Sequence, residues 1–588
     1  MSGAAGNLAG PADERGPGSP SPAPSGAAPK AAPPEPFPVG DRLAEVMALA
    51  ALARAMLLRE LRGLVVWVLG LGALCWYSVD ALGRSYSTEQ LRLAAGALER
   101  TPSMAAFTGP GHGMEGVADG VAPSLAALVA NELLLYVALG VAALAVVLVI
   151  RHTRATEETG QAGLVRAGAL RPGAEAWVVL LVLDICLTAV GLGIVAGLVL
   201  GGLAVPGALA MTAGSLGVGM CLGAAALLAA QVAPSARSAR GLAFLALLAA
   251  FGLRAVGDVL HAMGEEGAWL SQLSPIGWAQ AMRPWAGESW GWAVVLILVA
   301  DAVALLALRL ASRRDLEAPA IAWPSPPGLG RPGPRGPWAL ALRIQARAAL
   351  WWVAGAVAMA ALYGGLAGSL EGALGTISQE SEYFTAFLGG SFAPRSYVSV
   401  FFAFVALLAA GAGMTVVASA WRDELAGRAE AILAAPRPRA QRVCTVAAAA
   451  AAGSLATIVA GAACLGVTSA ATTGQWELAR DALISALGAW PACLALIGAG
   501  ALVTGVGRAV GAAVWGLFAW TAMLTLVSDL LGLPQWLRNL SVLEHVPPVL
   551  ALGPGSPALD WTGALVLTGL AAALLAGGAW LVGRRDLV

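Results

Sequence analysis

The chain has 588 residues, of which 58% are hydrophobic and only 12% are charged, and its formal net charge is zero. A soluble domain carries about 25% charged residues, so this composition excludes an ordinary soluble protein, and the charge balance does not indicate nucleic-acid binding. Apolar runs of about 18 or more residues recur along the chain, and each is long enough to cross ~30 Å of hydrocarbon as a helix. The sequence therefore predicts an all-α membrane protein that crosses the bilayer many times.

The first 40 residues are rich in Pro, Ala, Gly and Ser. Such a segment cannot bury enough apolar surface to fold, so we expect residues 1–40 to form a disordered cytoplasmic tail. From Asp41 a helical pattern begins in which charges interrupt the apolar residues, "RLAEVMALAALARAMLLRELR". This pattern predicts a helix lying on the membrane surface ahead of the first span, and an ordinary cytosolic helix is the alternative.

The apolar segments form two sets of six, separated by a Pro/Gly-rich stretch that reads "PSPPGLGRPGPRGP". We expect a first six-span repeat at 41–316, a cytoplasmic linker at 317–337 and a second six-span repeat at 338–588. The predicted spans lie at about 63–82, 126–150, 177–200, 208–232, 241–260, 290–311, 348–366, 397–420, 443–467, 482–506, 509–531 and 561–583.

Short motifs return in the same order in both sets. "RRDL" at 313–316 recurs at 584–587, and "WLSQL" at 269–273 recurs as "WLRNL" at 536–540. "TEETG" in the loop after the second span is echoed by "RDELAG" after the eighth. Because each set holds an even number of spans, the repeats should run parallel, related by an axis along the membrane normal. The prediction is about twelve transmembrane helices in two parallel six-helix repeats.

Arginine gives the orientation. The basic residues cluster in the segments that follow the second, fourth, sixth and eighth spans, and again at the C-terminus. Arginine and lysine are enriched on the cytoplasmic side of membrane proteins. We therefore predict a multi-pass protein of the cell (inner or cytoplasmic) membrane with both termini in the cytoplasm.

The sequence gives little support to an enzyme. The four histidines fall in different loops or at span ends without an HExxH spacing. The six cysteines are scattered without a CxxC pair, so no metal site is indicated. Lys30 is the only lysine and is followed by Ala, so a Walker A loop is impossible. We expect no catalytic residue, metal or cofactor in this chain, and ATP hydrolysis would require another polypeptide.

Four charged residues lie within predicted spans: Asp184, Arg254, Asp258 and Asp301. A charge at mid-bilayer costs about 3 kcal/mol on insertion scales, so such residues are functional candidates. Arg254 and Asp258 have i,i+4 spacing and are expected to form a structural ion pair. Asp184 and Asp301 have no obvious partner, and both a pore-lining and a structural role stay open.

The loops after the second and eighth spans resemble each other. Each follows a span directly and combines acidic residues, a glycine and a short helical stretch, which indicates a shared docking function rather than two ordinary charged loops. The candidate residues are Glu157, Gly160 and Val165 in the first loop, and Glu424, Gly427, Arg428, Glu430 and Ile432 in the second.

These segments, with "LSPIGWAQAMRPWAG", "LPQWLRNLSVLEHVP" and the terminal "GRRDL", resemble the permeases of type-2 ABC exporters. The similarity is to the fused, double-length polyketide-antibiotic (tetronasin-like) exporters and covers about residues 55–588. It implies export of a hydrophobic or amphiphilic small molecule, driven by separate cytoplasmic ATPase subunits, two copies per permease. The family motif, roughly Glu-x-Gly-Arg-x-Glu-x-Leu, is fuller in the second half. The first half has Gln161 and Gly163 at the Arg and Glu positions, so its docking contacts should matter less.

Two other functions fit the sequence less well. A secondary transporter of the major facilitator kind also has six plus six spans, but its Gly-x-x-x-Asp-Arg/Lys-x-Gly-Arg pattern does not fit "RHTRATEETGQAGLVRAG". A polytopic membrane enzyme would need clustered acidic or histidine residues at one face, and the sequence contains no convincing cluster.

Overall fold

The structure is a computed structural model. It describes residues 39–166, 171, 173–315, 318–321, 336–380, 394–425, 427, 439–507, 513–527, 535–550 and 560–584. Across these residues the secondary structure is helical, with no β-strand. Residues 1–38 of the predicted tail, most of the linker and Arg428, Glu430 and Ile432 lie outside the described residues, while the last two residues of the predicted tail belong to a helix.

The first half of the chain forms eleven α-helices over the described residues. Six of these helices are long, and the short ones fall in the connections between them. The bounds are α1 Val39–Ser85, α2 Glu89–Glu99, α3 Pro102–Phe107, α4 Leu125–His152, α5 Arg154–Glu158, α6 Gln161–Arg166, α7 Ala174–Leu200, α8 Val205–Val232, α9 Ala236–Met263, α10 Pro275–Ala281 and α11 Gly291–Arg313.

The second half contains seven α-helices over its described residues. They are α12 Pro337–Glu380, α13 Pro394–Leu425, α14 Arg439–Thr473, α15 Glu477–Val506, α16 Ala513–Val527, α17 Gln535–Arg538 and α18 Thr562–Arg584.

Eleven helices in the described part of the chain are long and apolar enough to cross a membrane. They correspond to all the predicted spans except the one at 509–531. There, only the 15-residue helix Ala513–Val527 is described, and the residues on both sides of it lie outside the described ranges. The all-α membrane fold of about twelve helices is therefore confirmed.

The N-terminal helix differs from the prediction. The segment expected to lie on the membrane surface is the first part of one continuous helix, α1, which also contains the first span and has 47 residues. No proline or glycine interrupts it between Asp41 and Arg62, and its alanine and leucine residues favour a helix. At 1.5 Å per residue α1 is about 70 Å long, so it extends well beyond a bilayer core.

Glycine contacts bring the spans close together. α1 runs beside α7, where a side chain at Gly193 or Gly197 would collide with the backbone of α1 around Val68 and Gly72. Small residues allow such close backbone approach between transmembrane helices. In the second half, Gly364 of α12 meets α14 in the same way. The first and third long helices therefore pack against each other in each half.

Two hydrophobic cores correspond largely to the two halves. One is built from residues between Ala53 and Ala311. The other combines α12–α16 with α2, α3 and the start of α4, so that Leu91 and Phe107 share a core with Ala360 and Val398. The short helices α2 and α3 thus connect the first half to the second on the side opposite the arginine-rich loops, here called the predicted outer side.

Candidate functional site

The first predicted docking loop folds into two short helices directly below α4. α4 ends at His152, and α5 and α6 follow with Gly160 between them. Gly160 has φ of +74°, a left-handed conformation that glycine adopts without strain. Its N–H donates to the carbonyl oxygen of Glu157 at 3.0 Å. The chain therefore turns sharply here, and α6 projects away from the span.

The second predicted loop repeats this turn. Gly427 has φ of +71°, and its N–H donates to the carbonyl oxygen of Glu424 at 3.2 Å. The spacing from the acidic residue to the left-handed glycine is the same in both halves. The two segments thus share local geometry at this turn as well as sequence.

Glu157 lies inside the protein rather than on its surface. It is 6% exposed, and its carboxylate accepts from Arg154 Nη1 at 2.5 Å and from Arg314 Nη1 at 3.0 Å, with a further bond from Arg314 Nη2. Arg314 also donates from Nε to Gln231 Oε1 at 2.6 Å. Charge-assisted contacts of this kind fix geometry strongly. The "TEETG" and "RRDL" motifs of the first half therefore bind each other.

Glu424 is also buried and paired. It is 9% exposed and lies 3.4 Å from Arg442 Nη1, while Arg442 Nη2 donates to the carbonyl oxygen of Ala420 at 3.0 Å. In both loops the acidic residue that sequence analysis selected holds the segment in place. Neither carboxylate is available on the surface for a partner.

The exposed residues of the first segment are different ones. Leu164 is 78% exposed on α6, and Val165 beside it is half-buried. In the second segment Leu425 is 53% exposed. Neither leucine was predicted from the sequence, because an apolar residue in a segment that follows a span is easily assigned to the span. For Leu164 the signal was its place after the glycine turn, where a soluble loop usually has polar residues. Leu425 precedes Gly427 and gives no such signal.

A second buried carboxylate lies near the same end of α4. Glu60 of α1 is 7% exposed and accepts from Arg151 Nη1 at 2.8 and 2.9 Å, and its Oε1 lies 2.8 Å from His152 Nε2. This contact joins α1 to the start of the docking segment. Sequence analysis did not select Glu60, which looked like one charge among several in an amphipathic helix.

The intramembrane candidates separate into two kinds. Arg254 and Asp258 form the expected ion pair at 3.4 Å, with side chains 0% and 4% exposed. Asp184 on α7 and Asp301 on α11 are instead exposed on the outside of the described bundle, within electrostatic range of each other. The described residues contain no group of His, Cys, Asp and Glu arranged to hold a metal ion.

Two comparisons with known proteins match this chain. Residues 335–582 match the family model described as multidrug efflux system permease Rv1217c, C-terminal domain. Over 548 residues the chain is 31% identical to the multidrug efflux system permease protein Rv1217c of Mycobacterium tuberculosis (strain ATCC 25618 / H37Rv), with 91% of this chain and 94% of that protein covered. The similarity therefore extends through both halves. With its polytopic helical fold, this chain belongs to the family of the multidrug efflux system permease Rv1217c.

Proposed function

We propose that the chain is the membrane subunit of an ATP-driven exporter, which moves hydrophobic or amphiphilic small molecules out of the cell. The observation that carries the proposal is the similarity to an efflux permease over nearly the whole chain. A chain whose only lysine is Lys30 cannot form a Walker A loop, so separate cytoplasmic ATPase subunits would supply the energy. The resemblance to type-2 ABC exporters supports the same conclusion, while the narrower tetronasin-like subtype stays an expectation.

The coupling elements would be the two turns after α4 and α13. Each places a left-handed glycine three residues after a buried glutamate, so two ATPase subunits would meet two segments of similar shape. Glu157 and Glu424 act in this proposal as positioning residues, because their carboxylates are bound to arginines of the permease itself. Leu164 and Leu425 are the apolar contacts that a groove on the partner would cover. Burial of one leucine contributes about 1.5–3 kcal/mol.

The burial of Glu157 and Glu424 decides which variants can test docking. Charge reversal at Glu424 would place a cation beside Arg442 and disturb the fold, so it does not test docking cleanly. Replacement of Leu164 by Ser removes an exposed apolar contact and leaves the Glu157–Arg314 pair intact. Val121 is also highly exposed, at 61%, but lies on the predicted outer side, so Val121→Ser is the matched control.

The experiment is co-purification of the permease with its ATPase, followed by measurement of ATP hydrolysis. We expect two ATPase copies per permease, no hydrolysis above background by the permease alone, and at least a fivefold loss of substrate-stimulated hydrolysis in Leu164→Ser with normal membrane yield. The Val121→Ser protein should behave like wild type. Robust hydrolysis by the isolated permease, or export that persists without any ATPase and follows the proton gradient, would reject the proposal in favour of a secondary transporter.

A further inference from the structure

At the predicted outer side, an exposed face of α4 lies within electrostatic range of the second half, and the space beside this face is here called the groove. α4 is surrounded by protein on most sides: Leu135 and Val137 are 2% and 0% exposed. Between them Tyr136 is 50% exposed, and Glu132, one turn earlier, is partly exposed. These two residues share a face because they are four positions apart. An otherwise buried helix therefore presents one open face with a carboxylate and an aromatic ring.

Aromatic rings from the second half form the opposite wall. Tyr363 of α12 and Phe401 of α13 have ring centroids 4.0 Å apart, and Phe401 lies 5.8 Å from Phe404. Tyr136 and Tyr363 are within electrostatic range of each other, so rings from both halves lie near the groove. Tyr136 lies about three turns into α4, and Phe401 lies about two turns into α13.

The helix α3 closes the groove from the predicted outer side. Phe107 at its end lies 4.9 Å from Tyr363, centroid to centroid. Arg254, which is fully buried, donates to the carbonyl oxygens of Ala105 at 3.1 Å and Ala106 at 2.9 Å. α3 is therefore held over the outer end of the groove by the first half and touches the second half through a ring.

The acidic groups of the groove are two carboxyl groups, those of Glu132 and Glu99. Glu132 and Glu99 are within electrostatic range of each other, and among the described residues no cationic side chain pairs with either of them. Glu132 accepts from the hydroxyl of Tyr86 at 2.9 Å, and Glu99 accepts from Thr108 and Asn131. Arg254 does not neutralise them, because its guanidinium is bound to Asp258 and to the carbonyls of α3.

Organic cations match this combination of groups. A cation near aromatic faces gains roughly 0.5–2 kcal/mol from the ring quadrupoles, and a carboxylate of opposite charge adds a term that is larger in a poorly solvated groove. A neutral lipophile would gain the ring contacts but leave the carboxylate unpaired, and an anion would be repelled. The groove should therefore distinguish ligands by charge.

We propose that the outer end of the groove between the halves binds lipophilic organic cations, with the charge against Glu132 and the apolar body against Tyr136, Tyr363 and Phe401. The proposal rests on the export function proposed above and names its substrate class. Burial raises the pKa of Glu99, beside the site, to about 7. An arriving cation therefore competes with a proton in this part of the molecule, and binding should strengthen between pH 6 and pH 8.

The test is equilibrium binding of tetraphenylphosphonium to the purified, full-length permease in neutral detergent. Triphenylphosphine oxide, which is aromatic and uncharged, serves as the comparison probe. We expect the cation to bind at least tenfold more tightly than the neutral probe. Glu132→Gln should weaken cation binding at least tenfold, and Glu89→Gln, an exposed carboxylate of α2, should leave it unchanged.

Tyr136→Leu keeps the charge and removes a ring, so it tests the site even if Glu132→Gln fails to fold. It should weaken cation binding several-fold while the protein keeps its thermal unfolding midpoint. Equal binding of the two probes, or undiminished cation binding by folded Glu132→Gln or Tyr136→Leu, would overturn the proposal. The binding experiment contains no ATPase, so its result does not depend on whether the permease is an ATP-driven exporter.

Discussion

At the scale of single residues, Glu157 is held by two arginines on the arginine-rich side. Its carboxylate joins Arg154 of its own segment to Arg314 at the end of α11, and both arginine side chains are nearly buried. Removing one partner of a buried ion pair leaves the other charges uncompensated, which typically costs 3–5 kcal/mol. Glu157, which was predicted to contact a partner, thus stabilises the permease itself.

Glu157→Gln should therefore lower the free energy of unfolding by about 3 kcal/mol. The measurement is denaturant or thermal unfolding of the purified permease. The neighbouring Glu158 accepts from the backbone N–H of Ala236 at 2.7 Å, and a Gln oxygen can accept the same bond. Glu158→Gln should therefore be close to wild type, and equal stability of both variants would contradict a structural role for Glu157.

A second prediction at this scale concerns Glu99 and the pH dependence of stability. Burial raises the pKa of Glu99 to about 7 from an ordinary value of 4.5, although hydrogen bonds from Thr108 and Asn131 oppose the shift. The folded protein then binds more protons than the unfolded chain between about pH 4.5 and pH 7. Its stability falls as pH rises through this window.

Glu99→Gln should flatten this part of the stability profile. We expect wild type to lose thermal stability between pH 5 and pH 8 by more than the variant does. The measurement is the unfolding midpoint at a series of pH values, with Glu89→Gln as the control. Parallel profiles for wild type and Glu99→Gln would show that Glu99 does not titrate in this range.

At the scale of elements, α3 depends on a contact from a distant helix. The carbonyl groups at the end of a helix lack intrahelical partners, and in α3 the last three all accept from the guanidinium of Arg254 on α9. The same guanidinium pairs with Asp258 and lies 5.1 Å from the Phe251 ring. The expected i,i+4 pair is present, and its larger role is to hold an element from another part of the chain.

Arg254→Met should release α3 and destabilise the protein by about 3–5 kcal/mol, because Asp258 is left buried without its partner. Hydrogen exchange should rise in residues 102–107 more than in α4. In Arg254→Met/Asp258→Asn the charge penalty is removed, so part of the stability should return while α3 stays mobile. Full protection of α3 in either variant would exclude the contact as its anchor.

At the scale of the whole molecule, the described structure begins with α1 at Val39. The first 40 residues contain few large apolar side chains and many prolines, so they have little apolar surface with which to stabilise a helical bundle. Deletion of residues 1–40 should leave membrane yield and the unfolding midpoint unchanged, measured on the purified protein. A collapse in yield would show that the tail takes part in folding.

The sequence by itself determined the membrane fold, the number of spans and the absence of a Walker A loop, because hydrophobic length and residue type are local properties. It also predicted the Arg254–Asp258 pair, which depends only on helical spacing. Tertiary structure decided which charges are buried. Glu157 meets Arg314 and Phe107 meets Tyr363 only after distant helices pack, and no local pattern shows which side of a loop will be covered. The sequence also did not show that α1 is one continuous helix. Apolar residues interrupted by charges are equally typical of a helix on the membrane surface and of a long helix that leaves the membrane.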